Sequence, residues 1–115
     1  MKLSDEEIIC GWMEKRPPDG KGDKVEHAYE PRWWGCSYQV EPKPSGIGKE
    51  FHWQWHPITL TLDRLWEVEE KLPSELRLDY WLELTHGGPP ELGYWRILHA
   101  DTSTRISALT RILSR

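Results

Sequence analysis

One six-residue pattern occurs twice in this chain, and it fixes where extended backbone should give way to helix. His56-Pro57-Ile58-Thr59-Leu60-Thr61 and His99-Ala100-Asp101-Thr102-Ser103-Thr104 both read H-x-x-T-x-T, 43 residues apart. Each sits where a segment read as a hairpin's second strand hands over to apolar residues at helical spacing. A threonine hydroxyl at such a corner caps the new helix by accepting a backbone amide. A threonine of each pattern is therefore predicted to cap the helix that follows, with Thr59 and Thr102 near the helix starts and His56 and His99 at the ends of the strands before them.

The segments around these corners have the periods the repeat requires. Trp34-Gly-Cys36-Ser-Tyr38-Gln-Val40 and Phe51-His-Trp53-Gln-Trp55-His56 alternate with period two and are separated by Pro42, Pro44, Gly46 and Gly48, which reads as a hairpin. A helix is predicted from about Thr59 to Leu72, with Leu62, Leu65, Trp66 and Leu72 on its apolar face and Pro73 as its stop. Leu76, Leu78, Tyr80, Leu82 and Leu84 then alternate as a third strand, and Tyr94–His99 reads as a fourth. A last helix begins near Thr102. Ser4 with Glu7 forms a capping box for an opening helix that Pro17-Pro18 ends, and residues 17–31 read as a polar loop. The expectation is one α+β domain over residues 1–115 in the order α-ββα-ββα. Its four-stranded antiparallel sheet carries helices, and its repeat units span about 33–72 and 76–114.

Composition narrows the functional classes. The net charge is −4, against the basic stripe of a free nucleic-acid binder. No apolar run approaches the length of a membrane span, and no basic-then-apolar leader opens the chain. Membrane association is therefore not expected, and a cytoplasmic setting with Cys10 and Cys36 as reduced thiols is. Both cysteines read as small buried core residues. Eight tryptophans stand against one phenylalanine. So many rings exceed what a core of this size hides, and exposed aromatics favour interfaces. Trp53, and Trp81 out of phase with its leucine neighbours, are candidates for partner contact.

The stretch Leu60-Thr-Leu-Asp-Arg-Leu-Trp66-Glu67-Val68-Glu-Glu70-Lys71-Leu72 resembles the "aWEVvEKl" helix of small phage proteins that carry the phage ABA sandwich domain. Ala100-Asp-Thr102 through Leu113 is similar to that family's closing helix, and Trp55-His56-Pro57 fits the junction before the first. The resemblance covers residues 50–113 best. The loop between Pro17 and Pro31 departs from the family's longer opening helix. It implies a three-layer α/β/α arrangement and a phage or prophage origin, and it transfers no catalytic residue.

Chemistry-bearing patterns are sparse. His52 and His56 share a strand face about 13 Å apart, too far to chelate one ion. His56 with His99 and Asp101 lacks the ligand count of a metal site, so no metal and no cofactor is expected. Ser45-Gly46-Ile47-Gly48-Lys49 has neither P-loop spacing nor a following helix, and reads as a turn. Arg32-Trp33-Trp34 is the main aromatic-plus-basic group, suited to stacking a base beside a cation, although consecutive strand residues must face opposite sides. The preferred function is a non-enzymatic interaction protein that binds a host protein, in the role of a host-defence inhibitor. The alternative is a binder of a nucleotide signal, with Arg32, Trp33, Trp34, His56, Thr59, His99 and Thr102 as contacts. Paired hairpin units also raise homo-oligomerisation through an exposed sheet edge or helix face.

Overall fold

The computed structural model describes residues 2–24, 30–85, 97 and 99–115. Helix α1 (Asp5–Met13) starts at the capping box the sequence announces: the Ser4 hydroxyl accepts the Glu7 amide and the Glu7 carboxylate accepts the Ser4 amide. Three strands follow, β1 (Gly20–Gly22), β2 (Trp34–Pro42) and β3 (Lys49–Pro57), in the sheet order β1-β3-β2, antiparallel throughout. Helices α2 (Leu62–Lys71), α3 (Ser74–Leu84) and α4 (Thr102–Leu113) complete the described elements. The chain is α+β, as expected. The hairpin β2–β3 is the predicted one, and β1 lies in what was read as a polar loop.

The second hairpin is not formed as predicted. Residues 74–84 are helix α3, not a strand. An every-second-residue pattern is ambiguous at five positions. On a helix, Leu76, Tyr80 and Leu84 recur at i, i+4 and i+8 and share one face, and Tyr80 and Leu84 are buried while Leu78 and Leu82 are exposed. The segment contains no β-branched residue and is rich in Leu, Glu and Arg, which favour helix. Trp81 therefore belongs to a helix surface and not to a second sheet face. Of the predicted strand 94–99, Ile97 and His99 have helical backbone, and the other positions lie outside the described residues, as does Tyr29.

The two corners also differ. At the first, β3 continues through Pro57, and the Ile58 amide still pairs with the Trp33 carbonyl. The buried Leu60 then draws the chain inward, and Thr61, the second threonine of the pattern, caps α2 by accepting the Arg64 amide. At the second, Asp101, not Thr102, caps α4 by accepting the Thr104 amide at 2.7 Å. The capping position thus shifts by three residues within the shared pattern, and the segments are not equivalent units. The repeat 33–72 and 76–114 is not a structural duplication.

The core gathers Ile9 and Cys10 of α1, Trp33, Trp34 and Trp55 at the root of the hairpin, Leu65 and Val68 of α2, Tyr80 and Leu84 of α3, and Ala108, Leu109 and Ile112 of α4. Within α2, Leu65, Val68 and Leu72 are the buried positions, whereas Leu62 and Trp66 are exposed. The buried stripe is turned from the one predicted. Helix α4 packs against α1, α2 and α3 and ties the helical body together.

Candidate interaction surface

A domain of this length should have a radius of gyration of about 13 Å. This chain has 18.9 Å and a longest extent of 68 Å. The β2–β3 hairpin is a long element that contributes to this extent. Its strands pair without a bulge from Trp34↔Pro57 to Pro42↔Lys49, a ladder about 30 Å long at normal strand rise. Only the first residue of β2, Trp34, is buried. Trp55 of β3 is buried beside it, and the hairpin beyond these two residues is an arm that leaves the body.

The arm is amphipathic. Residues that alternate along both strands share a face. One face carries Trp34, Cys36, Tyr38 and Val40 opposite Pro57, Trp55, Trp53 and Phe51. Trp34 and Trp55 root this face in the core, and Tyr38 and Val40 beyond them are 58% and 44% exposed. The Tyr38 ring meets Phe51 edge-on with centroids 5.5 Å apart. Ile47, at the tip, is 81% exposed, in a turn where Gly46 and Gly48 both adopt positive φ. The opposite face is polar: Ser37 and His56 are hydrogen-bonded at 2.7 Å, and His52 lies 3.4 Å from Glu41.

The sequence-predicted contacts divide between two places. Arg32, Trp33, Trp34, His56 and Thr59 meet at the root of the arm, because Trp34 pairs with Pro57 and Gly35 with His56. The rings of Trp33 and Trp34 are 4% exposed. The Arg64 guanidinium lies over Trp33, and Trp34 donates its indole N–H to the Glu14 carbonyl at 2.9 Å. Arg32 is paired with Glu67 at 3.0 Å. Among the described residues, the Trp33 and Trp34 rings at this root are buried against Arg64 and Arg16 and are not open to stack a base. Trp53 lies on the arm, half-buried, with its ring over Gly20 and Gly22. Trp81, His99 and Thr102 belong to the helical body.

Trp81 does line a groove, of about 320 Å³, with Trp66, Glu69, Glu70, Arg77 and Tyr80. Arg77 spends its guanidinium on the carbonyls of Glu70 and Leu72. Glu69 is bound by the Tyr80 hydroxyl and by Arg105 at 2.5 Å. The acidic lining is poorly suited to phosphate. Sequence reading missed Tyr38, Val40, Phe51 and Ile47 as surface residues. Their signal was present in two long alternating strands with no partner layer of matching length.

Reactive groups are few. Burial pushes the Cys10 thiol up to about 11, which leaves it protonated and inert. Cys36 is exposed on the arm, not buried as predicted. Its thiol is also raised, by desolvation and then by Asp19. Among the described residues no three His, Cys, Asp or Glu side chains are placed to hold a metal ion, and no helix is long and apolar enough to cross a membrane.

In comparisons with known proteins the chain matches no family model, and no significant match is found among curated proteins or solved structures.

Proposed function

We propose that this chain is a non-enzymatic interaction protein and that the apolar face of its β2–β3 arm is the surface a partner protein covers. The observation that carries this is the exposure of Tyr38, Val40 and Ile47 on a paired, bulge-free hairpin that stands clear of the body. An exposed apolar stripe costs solubility unless something covers it. Aromatic anchors on a pre-ordered scaffold contribute most of the energy of protein–protein contacts. Inhibition of a host protein is one form of this activity, in keeping with the phage origin that the resemblance at Leu60–Leu72 implies.

The test is affinity capture from bacterial lysate with wild-type chain and two surface variants. The expected result is a stoichiometric partner retained by Trp66→Ser/Trp81→Ser, which alters the helical groove, and lost by Val40→Asp/Phe51→Asp, which alters the arm. Retention by the arm variant, or the absence of any stoichiometric partner, overturns the proposal.

A further inference from the structure

The two long edges of the sheet are treated differently. In an antiparallel ladder, alternate residues turn their amide and carbonyl toward the partner strand and the others turn them away. The Lys43 amide bonds the Gly48 carbonyl and the Ile58 amide bonds the Trp33 carbonyl. The odd-numbered residues of β2 therefore face β3, and Cys36, Tyr38 and Val40 face outward. By the same alternation Phe51, Trp53 and Trp55 of β3 face the other edge. That edge is closed. Gly20 and Gly22 of β1 pair with Trp53 and Phe51, Asp19 accepts the Trp55 amide at 3.0 Å, and Arg16 donates to the Trp55 carbonyl at 3.0 Å. On β2, among the described residues, no hydrogen bond reaches the outward amides or carbonyls of Cys36, Tyr38 and Val40.

Exposed edges are normally protected by lysine, proline, a bulge or a short strand. β2 has one of these, Pro42 at its far end. The eight residues from Trp34 to Glu41 carry no lysine, proline or bulge, keep an unbroken register, and have Glu41 as their one charge. We propose that the outer edge of β2 pairs antiparallel with the same edge of a second copy of this chain, about a two-fold axis at Tyr38.

Self-complementarity singles out this occupant and this register. Centring on Tyr38 matches the whole strand, Trp34 to Pro42, to its copy. Every outward-facing residue then meets an outward-facing residue: Tyr38 meets its counterpart and exchanges two hydrogen bonds with it, and Cys36 meets Val40. Glu41 falls opposite Gly35, so no like charges oppose across the seam. The pairing unites two three-stranded sheets into one of six strands and sets the two bodies at opposite ends. It uses the edge and leaves the aromatic face free, so it is independent of the partner proposed above.

Sedimentation of the full chain across a wide concentration range is expected to show a reversible monomer–dimer equilibrium. Tyr38→Pro deletes an amide that β3 does not use, so the hairpin keeps its inner bonds. It is expected to abolish the dimer with little change in circular dichroism. Val40→Lys, which leaves the backbone intact, should weaken dimerisation by at least tenfold. Val40→Cys sets a thiol opposite the second copy's Cys36 at a spacing that suits a disulfide, and oxidation should trap a covalent dimer that Cys36→Ser prevents. A chain that stays monomeric at all concentrations overturns the proposal. So does a dimer that survives both Tyr38→Pro and Val40→Lys, or a Val40→Cys chain that does not cross-link.

Discussion

The Asp19 carboxylate accepts the backbone amide of Trp55 across a 36-residue separation, at 3.0 Å. Its neighbour Arg16 holds Asp19 at 3.1 Å and donates to the Trp55 carbonyl. Two side chains from the segment after α1 thus continue a ladder that β1 begins. They close one edge of the hairpin at its root while the other edge stays open.

Removal of that closure should be measurable. Asp19→Ala leaves the part-buried Trp55 amide without its acceptor, and an orphaned amide costs about 1–3 kcal/mol. Asp19→Asn keeps a carbonyl oxygen in place and should recover part of the loss. Urea unfolding of the three chains gives the order wild type, Asn, Ala. Equal midpoints for Ala and wild type would show that this side chain does not close the edge.

Glu69 joins three helices. Its carboxylate takes the Tyr80 hydroxyl from α3 and the Arg105 guanidinium from α4, and Arg105, 7% exposed, also bonds the Ile97 and Ala100 carbonyls. Loss of one partner of such a pair leaves the other charge stranded, so Glu69→Gln should cost about 3 kcal/mol. Tyr80→Phe removes one hydrogen bond and should cost about 1 kcal/mol. The Tyr80 phenol is pushed above its ordinary value by burial and then by the Glu69 carboxylate. A folded value above the unfolded one means that its contribution is complete below about pH 10 and is lost as pH rises through the folded value. Alkaline titration followed by tyrosinate absorbance should show one of the four tyrosines ionising late in wild type. That delayed step should disappear in Tyr80→Phe.

The sequence and the structure agree where one period alone fits the residues. The capping box at Ser4, and the alternation of two strands around a Pro- and Gly-rich turn, admit one reading each. They disagree at residues 76–84, where leucines at every second position satisfy a strand and also place Leu76, Tyr80 and Leu84 on one helical face. Propensity decides such a case, and Leu, Glu and Arg decide it for helix. The shared pattern at 56 and 99 misled for a different reason: a motif with two threonines and a neighbouring aspartate contains several competent caps. Tertiary packing chose among them. The candidate surface was legible only in part. An excess of rings announced exposed aromatics, but which rings are exposed depends on how far the hairpin outruns the body.

The capping assignments can be tested directly. Thr61→Ala should cost about 1 kcal/mol as loss of an N-cap, and Thr59→Ala should stay within about 0.5 kcal/mol as a surface change. At α4, Asp101→Ala should lower the melting temperature more than Thr102→Ala does. The Thr104 amide holds the Asp101 carboxyl below its ordinary value. A depressed folded value means that the contribution is present above about pH 4 and is lost as pH falls through the folded value. Asp101→Asn keeps the acceptor without the titration, so its stability should fall less steeply in acid than that of wild type. Parallel acid profiles would remove Asp101 as the titrating cap.

Gly20 offers a probe of how the arm is held at its inner edge. A Cβ at this position would come within 2.6 Å of the Trp53 indole, so the ring or β1 must move. Gly20→Ala should therefore cost about 1–3 kcal/mol, the usual penalty for overpacking. The displaced indole should gain water contact and shift its fluorescence to the red. Gly46→Ala is the informative control. Its site is open, with no atom within 4 Å of the added carbon, but its φ of +80° is one that alanine resists. That variant should be destabilised by backbone strain alone, with no change in tryptophan emission. If both variants lose stability with identical spectra, Trp53 does not pack on β1, and the arm's inner edge is not closed there.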